Sequence, residues 1–127
     1  MPALKGAAAA FFMALATLPA AAAQKSYVVC DNGLRCFVAP CPSTSALEIP
    51  TGTLRKGIWA DTSGLSRAER REIEESSALY HGSRVVRGRI EQRTKTFMGK
   101  PRTLPYLVIS GIERRSTGRE QKLCRQR

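Results

Sequence analysis

The chain has 127 residues, four cysteines, and 21 Lys and Arg against 10 Asp and Glu, for a formal charge of +11. That length supports one domain with a modest core, and the ordinary composition beyond the apolar N-terminal stretch excludes a disordered tail. The positive balance either favours polyanions as partners or serves solubility alone.

At the N-terminus, Lys5 precedes an apolar run from Gly6 to Leu18, then Pro19 and the alanines 20–23 before Gln24. A short basic start, an apolar core of roughly 7–15 residues and a small-residue site make a secretory signal peptide, cut before Gln24. The apolar core falls short of the ~20 residues needed to span a bilayer. No cysteine stands at the cut to take a lipid, and no later apolar run suggests an integral membrane segment. Removal of residues 1–23 takes away only Lys5 among the charged residues and lowers the formal charge from +11 to +10. The product, residues 24–127, is expected to be exported, periplasmic or extracellular, as a single domain.

Cys30, Cys36, Cys41 and Cys124 all lie in the exported part, and an even count in a small secreted domain reads as two disulfides. Three pairings are open. The expectation taken forward is Cys36–Cys41 as a local clip and Cys30–Cys124 as a long link. One His and a C-x5-C-x4-C spacing argue against a metal site, and no cofactor is expected.

Tyr27-Val28-Val29 is a β-branched run, and Asp31-Asn32-Gly33 is a turn signal. Leu34–Val38 resumes strand character, so 27–38 reads as a small hairpin or one bent strand. Ala39-Pro40-Cys41-Pro42 cannot continue a ladder, because proline has no amide donor. Residues 43–49 form the next strand, closed by Pro50-Thr51-Gly52, and 53–60 a further one interrupted by Gly57. Trp59, the single tryptophan, is by default a core or rim aromatic and alternatively a stacking platform. Ser66 with Glu69 makes a capping box for a helix running to about Leu79 and ended by His81-Gly82. Its apolar stripe (Ala68, Ile73, Ala78, Leu79) is narrow, so the helix is a lid.

Two strong strand patterns follow, 84–95 and 103–115, joined by the turn-rich segment 97–101. Gly88 within the first implies bending or close backbone approach. The basic tail from about 115 is expected to run over the surface until Cys124.

The order β-β-β-α-β-β is that of a five-stranded OB-like barrel, so the fold class is mainly β with one helix. The alternative is an α+β open antiparallel sheet with one packed helix.

The corner Cys36-Phe-Val-Ala-Pro40-Cys41, the Trp59-Ala-Asp61 and Ser63-Gly-Leu65-Ser66 stretches before the helix, and Val86-Arg-Gly88-Arg-Ile90 carry a further signal. Their succession resembles a family of small exported bacterial domains of unknown function, with a C-x-x-P-x-C corner, an S-G-L-S helix start and an L-x-R-G-x-I strand. The corner departs from that pattern in its proline, which stands one position later, directly before Cys41, and in Pro42 after the cysteines. The resemblance implies export and architecture rather than an activity.

No catalytic constellation is identifiable. His81 lies at a helix end with no Ser or Asp partner in evident array, the acidic residues 69, 72, 74 and 75 alternate with arginines, and no phosphate loop or C-x-x-C occurs. The expectation is a non-enzymatic accessory or binding module. Its candidate polyanion face is Arg55, Lys56, Trp59, Arg87, Arg89, Arg93 and Lys95, for an acidic polysaccharide, nucleic acid or anionic lipid surface, or else an envelope protein. Alternatives are a protease-inhibitor-like or other protein-binding module using the Ala39–Ser43 corner, and a purely structural envelope domain.

Overall fold

The structure is a computed structural model that describes residues 23–126 together with Gly6, Ala10 and Met13. Apart from those isolated positions and Ala23, the expected signal peptide lies outside the described residues.

Successive side chains of β1 (Lys25–Asp31) point to opposite faces, yet Tyr27, Val28, Val29 and Cys30 are all buried. A strand covered on both faces must lie between two cores, and it does. Tyr27 and Val29 join Ala46, Ile58, Val86, Leu107 and Ile109 in an inner cluster, while Val28 and Cys30 join an outer one with Leu47, Val85 and Cys124.

The strands β1, β2 (Thr44–Ile49), β3 (Leu54–Asp61), β4 (Gly82–Phe97) and β5 (Lys100–Arg115) close a barrel in the order β1-β2-β3-β5-β4. All neighbours are antiparallel except β3 and β5, whose parallel seam runs through Trp59–Tyr106, Ala60–Leu107 and Asp61–Val108. The fold is thus mainly β and OB-like, and closure of the ring removes the open α+β sheet. Gly88 sits where β4 presses on β5: an added Cβ would lie 2.5 Å from the Val108 carbonyl oxygen. Pro101 and Pro105 are tolerated in β5 because residues 100–105 extend beyond the seam with β3, leaving that edge without a ladder partner.

The helix α1 (Arg67–Glu75) starts at Ser66 with both halves of the capping box formed. Glu69 does more than cap. Its Oε2 also accepts the Ile112 amide at 3.1 Å, tying the lid to β5. That amide, followed by the Ser66 hydroxyl, holds the Glu69 carboxyl below its ordinary value. The expected single helix to Leu79 is instead two pieces. Ser76 Oγ donates to the Glu72 carbonyl oxygen, Ser77 takes a left-handed φ of 50°, and a separate turn, α2 (Ala78–His81), ends at Gly82. In one continuous helix, residues 73 and 78 would point about 140° apart. The break lets both Ile73 and Ala78 enter the inner core.

Two further expectations are corrected. Leu34–Val38 is not a strand. Asn32 donates its side-chain amide to the Pro42 carbonyl and its backbone amide to Ser43, while its Oδ1 accepts the Leu34 amide. The chain therefore turns out of the sheet at once, and residues 32–43 form a loop clipped by Cys36–Cys41.

The tail is not a surface run either. Thr117 and Glu120 form a second capping box for α3 (Gly118–Cys124), and Cys124 is bonded to Cys30 across 94 residues of sequence. This seven-residue helix covers the outward side chains of Val28, Leu47 and Val85, each worth about 1.5–3 kcal/mol when fully buried.

Candidate functional site

On β3, Ile58 and Ala60 face the inner core, so Trp59 and Asp61 face outwards. The parallel seam sets Trp59 beside Tyr106, and the β4–β5 register sets Glu91 opposite Tyr106 on its other side. The two-residue tip Met98-Gly99, with φ of 50° and 76°, fixes this register. Positive φ at both central residues belongs to the tight hairpin turn whose twist suits β-strands.

The outer face of β3–β5–β4 therefore carries a row of three aromatic rings. Trp59 lies 6.5 Å from Phe97 at 29° and 6.2 Å from Tyr106 at 23°. The Arg93 guanidinium is 4.8 Å and the Lys95 ammonium 5.1 Å from the centre of the Tyr106 ring, close enough for cation–π attraction. Tyr106 is buried beneath them, Phe97 and Trp59 are half-buried, and Trp59 Nε1 has no hydrogen-bond partner among the described residues.

Charge is graded along the row. At one end Arg93 bonds Asp61 at 2.9 Å and Glu91 at 3.4 Å, and Arg89 bonds Glu91 at 3.4 Å. Hydrogen bonds from Ser63, followed by the interaction with Arg93, hold the Asp61 carboxyl at about 2. That end is electrically satisfied. At the other end, Lys95 stands across the ladder from Arg102, and Phe97 from Lys100. None of Lys95, Lys100 and Arg102 is in an ion pair among the described residues. The row then opens into a cleft of about 480 Å³ between Val38, Ala39 and Pro40 of the clipped loop and Phe97, Met98, Lys100 and Arg102 of the hairpin.

Of the seven face residues drawn from sequence, the structure brings Trp59, Arg93 and Lys95 together, with Arg89 beside them. Arg87 pairs instead with Glu113 at 3.4 Å. Arg55, in register with Ala46, lies near the Lys25–Glu48 ion pair at another part of the barrel. Lys56 lines a separate hollow with Asn32, Leu34 and Pro42 at the base of the clipped loop.

Sequence reasoning missed Phe97, Tyr106, Lys100 and Arg102. A partial signal was available: with Met98-Gly99 as a two-residue turn, 97 pairs with 100, 95 with 102 and 91 with 106, which gathers the hairpin's share of the row, while Trp59 joins it only through the seam with β3. His81 packs edge-on against Tyr80 at 5.0 Å, and its carbonyl accepts a hydrogen bond from Arg125. All four cysteines are consumed in disulfides, so they offer no thiolate for metal or redox chemistry in this state.

The chain matches no protein-family model, no curated protein and no solved structure. Barrel and row must speak for themselves.

Proposed function

We propose that this is an exported, non-enzymatic binding module whose outer β3–β5–β4 face receives a polyanion. The observation that carries the reading is the aromatic row Phe97–Trp59–Tyr106 continued by the unpaired cations Lys95, Lys100 and Arg102. Cations follow a line of negative charge while ring faces give sequence-tolerant contact area. Export is supported by two disulfides, by the expected signal peptide and by the resemblance to exported domains. No described helix is long and apolar enough to cross a membrane.

Retention on immobilised heparin, measured against salt, tests the reading. The protein should be held at low salt and released steeply as salt rises. The triple variant Lys95→Gln, Lys100→Gln, Arg102→Gln should flatten the log–log salt slope by about 2–3. Retention indifferent to salt, or to the triple variant, overturns the assignment.

The clipped loop favours a second reading, as a protein-binding or inhibitor-like module. The Ala39–Ser43 corner itself is engaged in bracing: Pro42 packs beneath Gly57, and Ser43 takes the Asn32 amide. The part that protrudes is 34–39, all exposed. A purely structural envelope domain would need neither that protrusion nor the row.

A further inference from the structure

Within residues 23–126, every large exposed apolar side chain but Tyr80 lies on the clipped loop or the β4–β5 hairpin tip. Phe37 is 109% exposed, Met98 81%, Val38 57% and Leu34 43%. Phe37, Val38 and Leu34 belong to the clipped loop and Met98 to the hairpin tip. The cleft shared by Val38 and Met98 shows that the two tips stand side by side.

Neither tip is slack. The loop is closed on itself by Cys36–Cys41 and braced at its base by Asn32, and the hairpin ends in a tight two-residue turn. Apolar groups are thus held out in water by covalent and hydrogen-bonded structure that gives them nothing to pack on. Folding does not explain this arrangement.

We infer that the crown formed by the two tips inserts into the interface of an anionic lipid bilayer. This rests on the polyanion reading above and names the polyanion. Three observations favour lipid over a soluble polymer or a protein groove.

First, Phe37, the most exposed of the group, projects outwards and lines none of the described depressions, so it suits a yielding medium. Second, cations ring the apolar tips, with Lys100 and Arg102 lining the same cleft as Met98 and Lys95 in register with Arg102. Apolar side chains below a layer of phosphates and basic ones level with it are what an anionic interface accommodates. Third, an oligosaccharide or nucleic acid would engage the aromatic row and the cations, but it has no use for Val38 and Met98.

The geometry also sets the orientation. With the crown down, the β4–β5 hairpin stands towards the bilayer.

Sedimentation of the oxidised protein with vesicles tests this, using phosphatidylglycerol mixed with phosphatidylcholine against phosphatidylcholine alone. The expected result is binding to the anionic vesicles, little to the neutral ones, and weakening on the order of ten-fold or more in the double variant Phe37→Ser, Met98→Ser. Both positions are exposed, so the fold should survive, and heparin retention of the double variant should equal that of the parent. Comparison within the same chain cancels anything residues 1–23 contribute.

If the parent ignores anionic vesicles, or the double variant binds them as well as the parent, while heparin is still held, the lipid inference fails and the polyanion reading stands. If neither vesicles nor heparin are bound, both fail.

Discussion

Cys30–Cys124 and Cys36–Cys41 are one chemical bond in two settings. The first lies under α3 with its sulfurs buried among Val28, Leu47 and Val85, and it joins residues 94 apart. The second joins residues five apart on a loop whose neighbouring side chains face solvent. Around the first, Val28, Leu47 and Val85 share one buried cluster; around the second, Phe37 and Val38 are exposed and belong to neither buried cluster. On the α3 side, covalent closure substitutes for the core that a seven-residue helix cannot supply. On the crown side, it fixes the shape of a surface that packing does not hold. The contrast teaches that the bond by itself says nothing of role, which is read from what surrounds it.

The strongest way to break the comparison is to remove each link in turn. Chain-entropy reasoning gives about 4.7 kcal/mol for a loop of that long separation and about 2 kcal/mol for the short one. Cys30→Ser with Cys124→Ser should therefore lower the denaturant midpoint far more than Cys36→Ser with Cys41→Ser. Only the short link's loss should weaken vesicle or heparin binding at a temperature where both variants stay folded. Equal effects on stability would erase the distinction.

Glycines sharpen it next. Gly88→Ala would put a methyl group 2.5 Å from the Val108 oxygen and force β4 off β5, costing about 1–3 kcal/mol. Gly99→Ala at the hairpin tip meets nothing within 4 Å and has only its φ of 76° to oppose it, about 1 kcal/mol. Thermal or chemical unfolding of the two variants checks the order.

The smallest expected effect is one of pH. Glu120 is held at about 2, first by the Arg114 guanidinium, and Asp61 at about 2, first by Ser63. Both folded values lie below the ordinary 4.5 and 3.8, so the stabilisation is complete at neutral pH and is lost as pH falls through about 2. Glu120→Gln should flatten the decline in stability below pH 4.5 on the α3 side. Asp61→Asn should do so while also releasing Arg93 on the binding face, which increased heparin retention would report.

Much of the barrel is legible in the sequence because its signals are local. Ser66-x-x-Glu69 marks a helix start, the alternation in 84–95 and 103–115 marks two long strands, and the order of elements then restricts the topology. Other features depend on contacts distant in sequence. α3 carries the same kind of signal, Thr117-x-x-Glu120, but only Leu123 and Cys124 are apolar in it, so nothing local foretells that it will be held. The kink at Ser77 follows from where Ile73 and Ala78 must point, which the helix pattern alone cannot say. Part of the proposed binding face was legible as alternating basic residues near Trp59. The aromatic row was hidden because Tyr106 reaches Trp59 only through a parallel seam that no local pattern encodes. Leu34–Val38 is the instructive miss: it reads as a strand because it is apolar, yet Leu34, Phe37 and Val38 are exposed and join neither core cluster. Local rules fail most informatively where an apolar segment is left out of the core.

The link from residue 30 to residue 124 has one more consequence. It makes nearly the whole domain a covalent ring, with the clip at 36–41 a smaller ring inside it. A protease that cuts a single peptide bond between those ends opens the ring but releases no fragment. The severed strands stay tethered at both sides of the break, and their rejoining is an encounter within one molecule. With 17 of the chain's 21 lysines and arginines between those two cysteines, most of the bonds open to trypsin-like enzymes lie inside the ring, and damage at one site need not mean dissolution.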